Sequence, residues 1–180
     1  MDSDGGAGVV PGGADRAAVI EAQWRRERPD LDSSSIGVIT RIWHLGKIFS
    51  TNRRNLLATI GIDAALMDLL GTLRRSGDPY RLTTRELADA SAVSPAAISQ
   101  RLARAEQRGW VRREPGPARR VEVQLTEEGS RITDEVAGAI FASDEAMLDG
   151  LSATDRADLT RLLAALSAAV GATASELSTD

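Results

Sequence analysis

Residues 83 to 125 constrain the fold more than any other stretch, because their start and stop signals leave no room for long elements. Thr83 and Glu86 have the spacing of a capping box, in which the N-cap hydroxyl and the acid three residues on satisfy each other's backbone amides. A helix opened there reaches only about Ser91. Ser94 then offers a second cap, and Pro95 takes the first helical position, where its missing N–H costs nothing. This second helix runs to Gly109, a residue suited to a left-handed C-terminal cap. Beyond it, "WVRRE" and "RRVEVQL" alternate apolar and polar residues around "PGPA", as the arms of a hairpin do.

Two short helices joined by "SAVS" and followed by a ribbon make a winged helix-turn-helix pattern. On the second helix Ile98, Leu102 and Ala105 recur at i, i+4 and i+7, so they turn inward against Leu87 and Val93. Ala96, Ser99, Gln100 and Ala103 must then face outward, with Ser94 at the helix start. They are small or amide-bearing, which lets the helix approach a major groove closely and lets Gln100 hydrogen-bond a base edge, adenine above all. Arg101 and Arg104 flank that face in positions suited to phosphates, and Arg85, Arg112 and Arg113 extend the positive rim. Arg119 and Arg120 sit at the ribbon tip, within reach of a narrow minor groove. The plain alternative for such arginines is a solvated helix face. The coincidence of cap, glycine stop, ribbon and local charge favours duplex DNA.

Charge supports the same reading, because it is unevenly spread. The net charge is −4, yet between Arg74 and Glu122 eleven arginines stand against six carboxylates, whereas from Val123 to Asp180 three stand against eleven. Such asymmetry suits a chain that meets a polyanion with one face only. With no cysteine there is neither a disulfide framework nor a thiolate metal site. The single histidine, His44, lacks the companions that a catalytic or transition-metal site needs, and no glycine loop is built to cradle phosphate. The expectation is a protein that is not an enzyme and carries no cofactor or metal. No apolar run reaches the ~18 residues of a membrane span, and "MDSDGGAGVVPGGAD" has none of the order of a signal peptide. A cytoplasmic location is expected.

The remaining chain reads as helices. Residues 1–13, rich in glycine and small residues, are expected to be a disordered tail. Residues 14–62 hold a helix from about Asp15 to Arg28, ended by Pro29, and a longer one from "SSSIG" to about Leu57 with Ile36, Ile39, Trp43 and Phe49 along one side. Residues 63–125 form the DNA-binding lobe, opened by a helix that Asp63 caps and that Leu66, Leu69, Leu70 and Leu73 stripe. "YRL" is long enough only for a short strand. Residues 126–177 carry two further helices, the last started by Ser152 and Asp155. The fold class is mainly α with a small β-hairpin wing (α+β). The helices of the two termini have apolar stripes but no sheet to cover, so a helical dimerisation region built from both termini is expected.

With those residues in view, the chain resembles the MarR family of transcriptional regulators from Asp15 to about Glu176. The resemblance is carried above all by "LRRSGDPYRLTTRELADASAVSPAAISQRLARAEQRGWVRRE" and "LTEEG". It implies a homodimer whose winged lobes enter successive major grooves of a pseudo-palindromic operator, about 34 Å apart. "EAQWRRERPDLD" followed by "VITRIWHL" is further similar to the urate-responsive, PecS-like subfamily, which carries an extra N-terminal helix. That likeness implies an effector site matched here by Trp24, Asp68, Arg75 and Arg113. The chemistry suits a small anion: guanidiniums bind its oxygens bidentately, a carboxylate accepts N–H groups of a heterocycle, and an indole stacks on a flat ring. Asp68 and Arg75 are seven residues apart and so share a helix face.

The family's usual wing has an Asp two positions before its paired arginines and a glycine after them. Here Pro117 and Val121 stand instead, in a loop about two residues shorter. Taken together, these features imply a sequence-specific regulator, acting as a repressor, released from its operator by a small anionic metabolite such as urate or a tricarboxylate. The alternatives are a MarR-type regulator answering phenolic or lipophilic compounds, and a ligand-independent DNA-binding protein.

Overall fold

The computed structural model describes residues 15–116 and 120–177. The expected tail 1–13 and the wing-tip residue Arg119 lie outside the described residues. In chain order the elements are α1 (Arg16–Glu27), α2 (Ile36–Ile60), α3 (Ala64–Arg75), β1 (Arg81–Thr83), α4 (Thr84–Ala90), α5 (Pro95–Gln107), β2 (Val111–Pro115), β3 (Val121–Leu125), α6 (Glu127–Met147) and α7 (Ala153–Leu177). Contacts divide the chain into two units within α2, between Asn55 and Leu56.

In the first unit, Asp15 caps α1 by accepting a hydrogen bond from the Ala17 amide at 3.2 Å, while its other oxygen pairs with Arg41 on α2. Ile39, Trp43 and Phe49 project from α2 into solvent, Trp43 with 76% of its surface exposed. The helix runs about one turn past its expected end near Leu57 and stops only at Gly61, whose φ of 73° closes it.

The second unit holds the core. Leu57, Leu66, Leu69, Leu70 and Leu73 pack with Leu87 of α4, Ile98 and Leu102 of α5, Val123 of β3, and Val136 and Ile140 of α6. Each such side chain, removed from water, contributes roughly 1.5–3 kcal/mol. The leucine stripe of α3 is the hub, since α3 touches α4, α5, α6 and β3. Helix starts follow the sequence signals. Thr83 and Glu86 form the full capping box, Ser94 Oγ accepts from the Ala97 amide at 3.3 Å, and Thr126 Oγ1 accepts from the Gly129 amide at 2.9 Å. Ser152 and Asp155 satisfy each other in the same reciprocal way before α7.

The wing is more than a hairpin. The strands form a three-stranded antiparallel sheet in the order β1-β3-β2, with Arg81 opposite Gln124 and Arg113 opposite Val123. Gly129 fixes the sheet against α6: a Cβ there would stand 1.8 Å from the Trp110 carbonyl oxygen, so no larger residue fits without movement. Farther along α6 and on α7, Phe141, Leu159, Leu162, Leu163 and Val170 remain exposed. Among the described residues no single helix is long and apolar enough to cross a membrane.

Candidate nucleic-acid interface and effector residues

The turn between α4 and α5 is tight enough to force Ala92 to a φ of 50°, a conformation most L-residues avoid. It sets α5 with Ile98, Leu102 and Ala105 fully inward. Ser94, Ala96, Ser99, Gln100 and Ala103 are all exposed on the opposite side. Ser99 keeps its hydroxyl on the helix, donating to the Pro95 carbonyl at 3.0 Å. Gln100 is therefore the amide available on this face for a base edge.

The arginines are arranged differently from the simple expectation of a phosphate rim. Arg101 and Arg104 both turn toward α3. Arg101 donates to Asp68 Oδ2 at 3.0 Å, with only 17% of its side chain exposed, and Arg104 pairs with Asp63. Two cross-links thus tie α5 to α3 behind it, which is why neither guanidinium projects as an unpaired charge. Arg112 pairs with Glu114 at 2.8 Å. Arg85 is open, 92% exposed and 3.8 Å from Asp89. Arg120 is exposed at the wing, and its charge helps hold the Glu86 carboxyl below its ordinary value, after the larger effect of hydrogen bonds from Thr83.

The residues matched to the effector site are distributed among several elements. Asp68 lies midway along α3, joined to Arg101 as described. Arg75, at the end of α3, folds back over its own helix toward Thr72 at 3.3 Å, and Gly71 makes the room, since a Cβ there would meet the guanidinium at 2.9 Å. Arg113 faces the core side of the sheet and pairs with Glu106 of α5 at 2.9 Å. Trp24 stands half-exposed on α1. The structure thus connects Asp68 and Arg113 to α5 by ion pairs, but through Arg101 and Glu106 rather than to one another.

Asp63 and Glu106 are the residues that sequence reasoning did not assign to a site. Asp63 was legible only as a cap, and indeed its Oδ1 accepts the Leu66 amide at 2.8 Å. Partial burial would raise its carboxyl, but that amide and the Arg104 guanidinium outweigh burial and hold it below the ordinary carboxylate value.

The MarR family model matches residues 60–120, the span from the end of α2 to the wing. The chain is also 32% identical over 146 residues to the HTH-type transcriptional regulator PecS of Dickeya dadantii (strain 3937), a match covering 80% of this chain and 88% of that protein. The chain belongs to the MarR family. Among solved structures, apo MarR from E. coli is 26% identical over 71% of this chain and 95% of its own, with a TM-score of 0.61. Sco3205, a MarR family transcriptional regulator from Streptomyces coelicolor solved in complex with DNA, matches 76% of this chain and 88% of its own at a TM-score of 0.65 and 23% identity, which shows the fold. As a MarR-family member, the chain is a winged helix-turn-helix, DNA-binding transcriptional regulator.

Proposed function

We propose that this chain is a homodimeric repressor that reads a pseudo-palindromic operator through Ser94, Ala96, Ser99 and Gln100 of each α5, and that a small anionic metabolite releases it. The observation that carries the reading is the Asp68–Arg101 ion pair, which joins the helix bearing two matched effector residues to the helix that presents the base-reading face. An anion arriving beside Asp68 offers Arg101 a competing acceptor, and a heterocyclic N–H gives Asp68 a competing donor. Either exchange acts directly on the seat of α5. Arg113 is coupled to the same helix through Glu106, so a ligand that draws Arg113 away disturbs α5 from its other end.

Such a ligand shifts DNA binding only by preferring one arrangement. A coupling of about 1–3 kcal/mol corresponds to roughly 5- to 150-fold weaker binding. The dimer is supported by the large apolar side chains left in solvent, among them Trp43, Phe141, Leu162 and Val170. A second copy covering them removes that surface from water and gives the two-fold symmetry that a pseudo-palindrome requires. Arg85 and Arg120 are the cations best placed to add phosphate contacts.

The test is fluorescence anisotropy of a labelled duplex from the gene's own upstream region, titrated with the protein and then with urate, trans-aconitate or citrate. Tight binding reversed by one of these anions is the expected result. Tight binding that none of them disturbs, but that a phenolic compound reverses, would replace the anionic effector with the lipophilic one.

A further inference from the structure

The outer face of the wing sheet carries a charge arrangement that the DNA-binding reading leaves unexplained. Antiparallel register places Glu114 of β2 directly opposite Glu122 of β3, and like charges so paired are destabilising. Both stand at the base of the wing, one residue before the last ladder pair, Pro115 with Val121. Arg112 pairs with Glu114 at 2.8 Å on its own strand, and Arg81, from the far edge, is the cation that meets both carboxylates. Arg81 belongs to β1, which pairs only with β3, yet its guanidinium reaches across β3 to Glu122 at 3.0 Å and Glu114 at 3.5 Å. It also donates to Gln124 Oε1 at 2.9 Å. Gln124 in turn accepts from Arg112 at 2.7 Å and donates to the Pro79 carbonyl at 2.9 Å.

Two further details show how closely this cluster is fitted. Arg81 Nε is buried without a hydrogen-bond partner, so the fork is held where its other nitrogens are needed at the expense of one donor. Gly116, the first residue of the wing turn, leaves space that the Glu122 side chain fills, since a Cβ there would lie 2.7 Å from Glu122 Cγ. The Gly116 amide then donates to the Arg120 carbonyl at 2.8 Å, continuing the pairing to that exposed arginine. One guanidinium therefore spans all three strands at the point where the wing leaves the sheet.

We propose that Arg81 is a positioning residue for DNA binding: by neutralising the facing carboxylates Glu114 and Glu122 it fixes the pitch of the wing, and so where Arg120 meets the duplex. The inference rests on the operator-binding reading for its consequence, and on the sheet alone for its cause.

The experiment separates the two. Hydrogen exchange of the backbone amides between residues 112 and 122 is measured in the free full-length protein, and hydroxyl-radical footprinting is measured on the operator complex. In Arg81→Met, exchange at the wing base rises by up to about fivefold, and protection is lost at the operator flanks while the centre, covered by α5, stays protected. Adding E114Q and E122Q removes the charge conflict and restores slow exchange and flank protection. Should Arg81→Met not fold, the same comparison is made between Arg81→Gln and its E114Q/E122Q form. Unchanged exchange, or unchanged flank protection despite faster exchange, overturns the proposal, as does failure of the carboxamide pair to restore either. A wild-type chain that ignores its operator sinks the functional reading, and the exchange data then still decide whether Arg81 braces the wing.

Discussion

Asp68 and Arg101 are held 3.0 Å apart across 33 residues of sequence, and the arginine is the more enclosed partner. Their pair ties α3 directly to α5. Substituting Asp68→Asn removes the charge that seats Arg101 and keeps the size of the side chain. Stability falls by no more than about 1 kcal/mol, as for other partly exposed ion pairs. The response of DNA binding to an anionic effector falls at least about fivefold, because the coupling acts through this contact. A titration of the operator complex with urate or a tricarboxylate, in both proteins, checks the second number. An undiminished response would place the coupling elsewhere.

Arg104 gives a prediction in salt rather than in ligand. Asp63 holds it in the free protein, so a phosphate must compete with a carboxylate for the same guanidinium. Asp63→Asn separates capping from charge, since asparagine caps a helix as well as aspartate does. The variant folds, binds operator more tightly, and shows a slope of log K against log salt steeper by up to about 0.9 per half-site. The same substitution made together with Arg104→Gln leaves the slope unmoved. If Asp63→Asn steepens it in both backgrounds, the effect is one of general charge.

Ala92 carries backbone strain at the turn of the helix-turn-helix, with a φ of 50°. The left-handed conformation costs an alanine roughly 1–2 kcal/mol, while glycine loses about 0.4–1 kcal/mol through its freer unfolded chain. Ala92→Gly is therefore expected to stabilise the protein, by about 0.5–1 kcal/mol. The midpoint of urea unfolding, at an unchanged slope, measures it. A lower midpoint would mean that the methyl group makes contacts worth more than the strain.

Acid should unfold the protein through its paired carboxylates. Asp134 is held below the ordinary value by its hydrogen bonds from Arg74, Glu128 by Arg131, Glu86 by Thr83, and Asp63 by Leu66 and Arg104 against the effect of burial. A depressed carboxyl contributes stability that is fully present above its unfolded value, about 4, and is lost as pH falls through the folded value. Stability is thus expected to be level between about pH 7 and 5 and to fall below about pH 4. High salt shrinks the drop, because these pairs lie near the surface. Urea melts across that range provide the check.

How much of this was legible beforehand varies by element. Thr83 with Glu86, Ser94 with Pro95, and Gly109 announced the helix-turn-helix because caps and stops are local signals, and the burial of Ile98, Leu102 and Ala105 followed from their spacing. The short strand at "YRL" was visible, but not its pairing with β3, since register across 41 residues leaves no periodic trace. The same holds for the charges. Arg101 and Arg104 look like a phosphate rim when the helix is read alone, and nothing in their spacing names Asp68 or Asp63 as partners on another helix. Glu114 facing Glu122 likewise emerges only once the ladder is drawn, and with it the need for Arg81.

The proposed operator reading rests on Gln100, carried on the exposed face of α5 in each half of a dimer. Binding of wild type and Gln100→Ala is compared on the upstream pseudo-palindrome and on an unrelated duplex of equal length, at one fixed salt concentration. A bidentate amide–adenine contact contributes about 1–3 kcal/mol per half-site, so the substitution, present in both halves, should weaken operator binding by at least about thirtyfold and leave the unrelated duplex unaffected. Equal losses on both duplexes, or no loss on either, would contradict the placement of this helix in the groove.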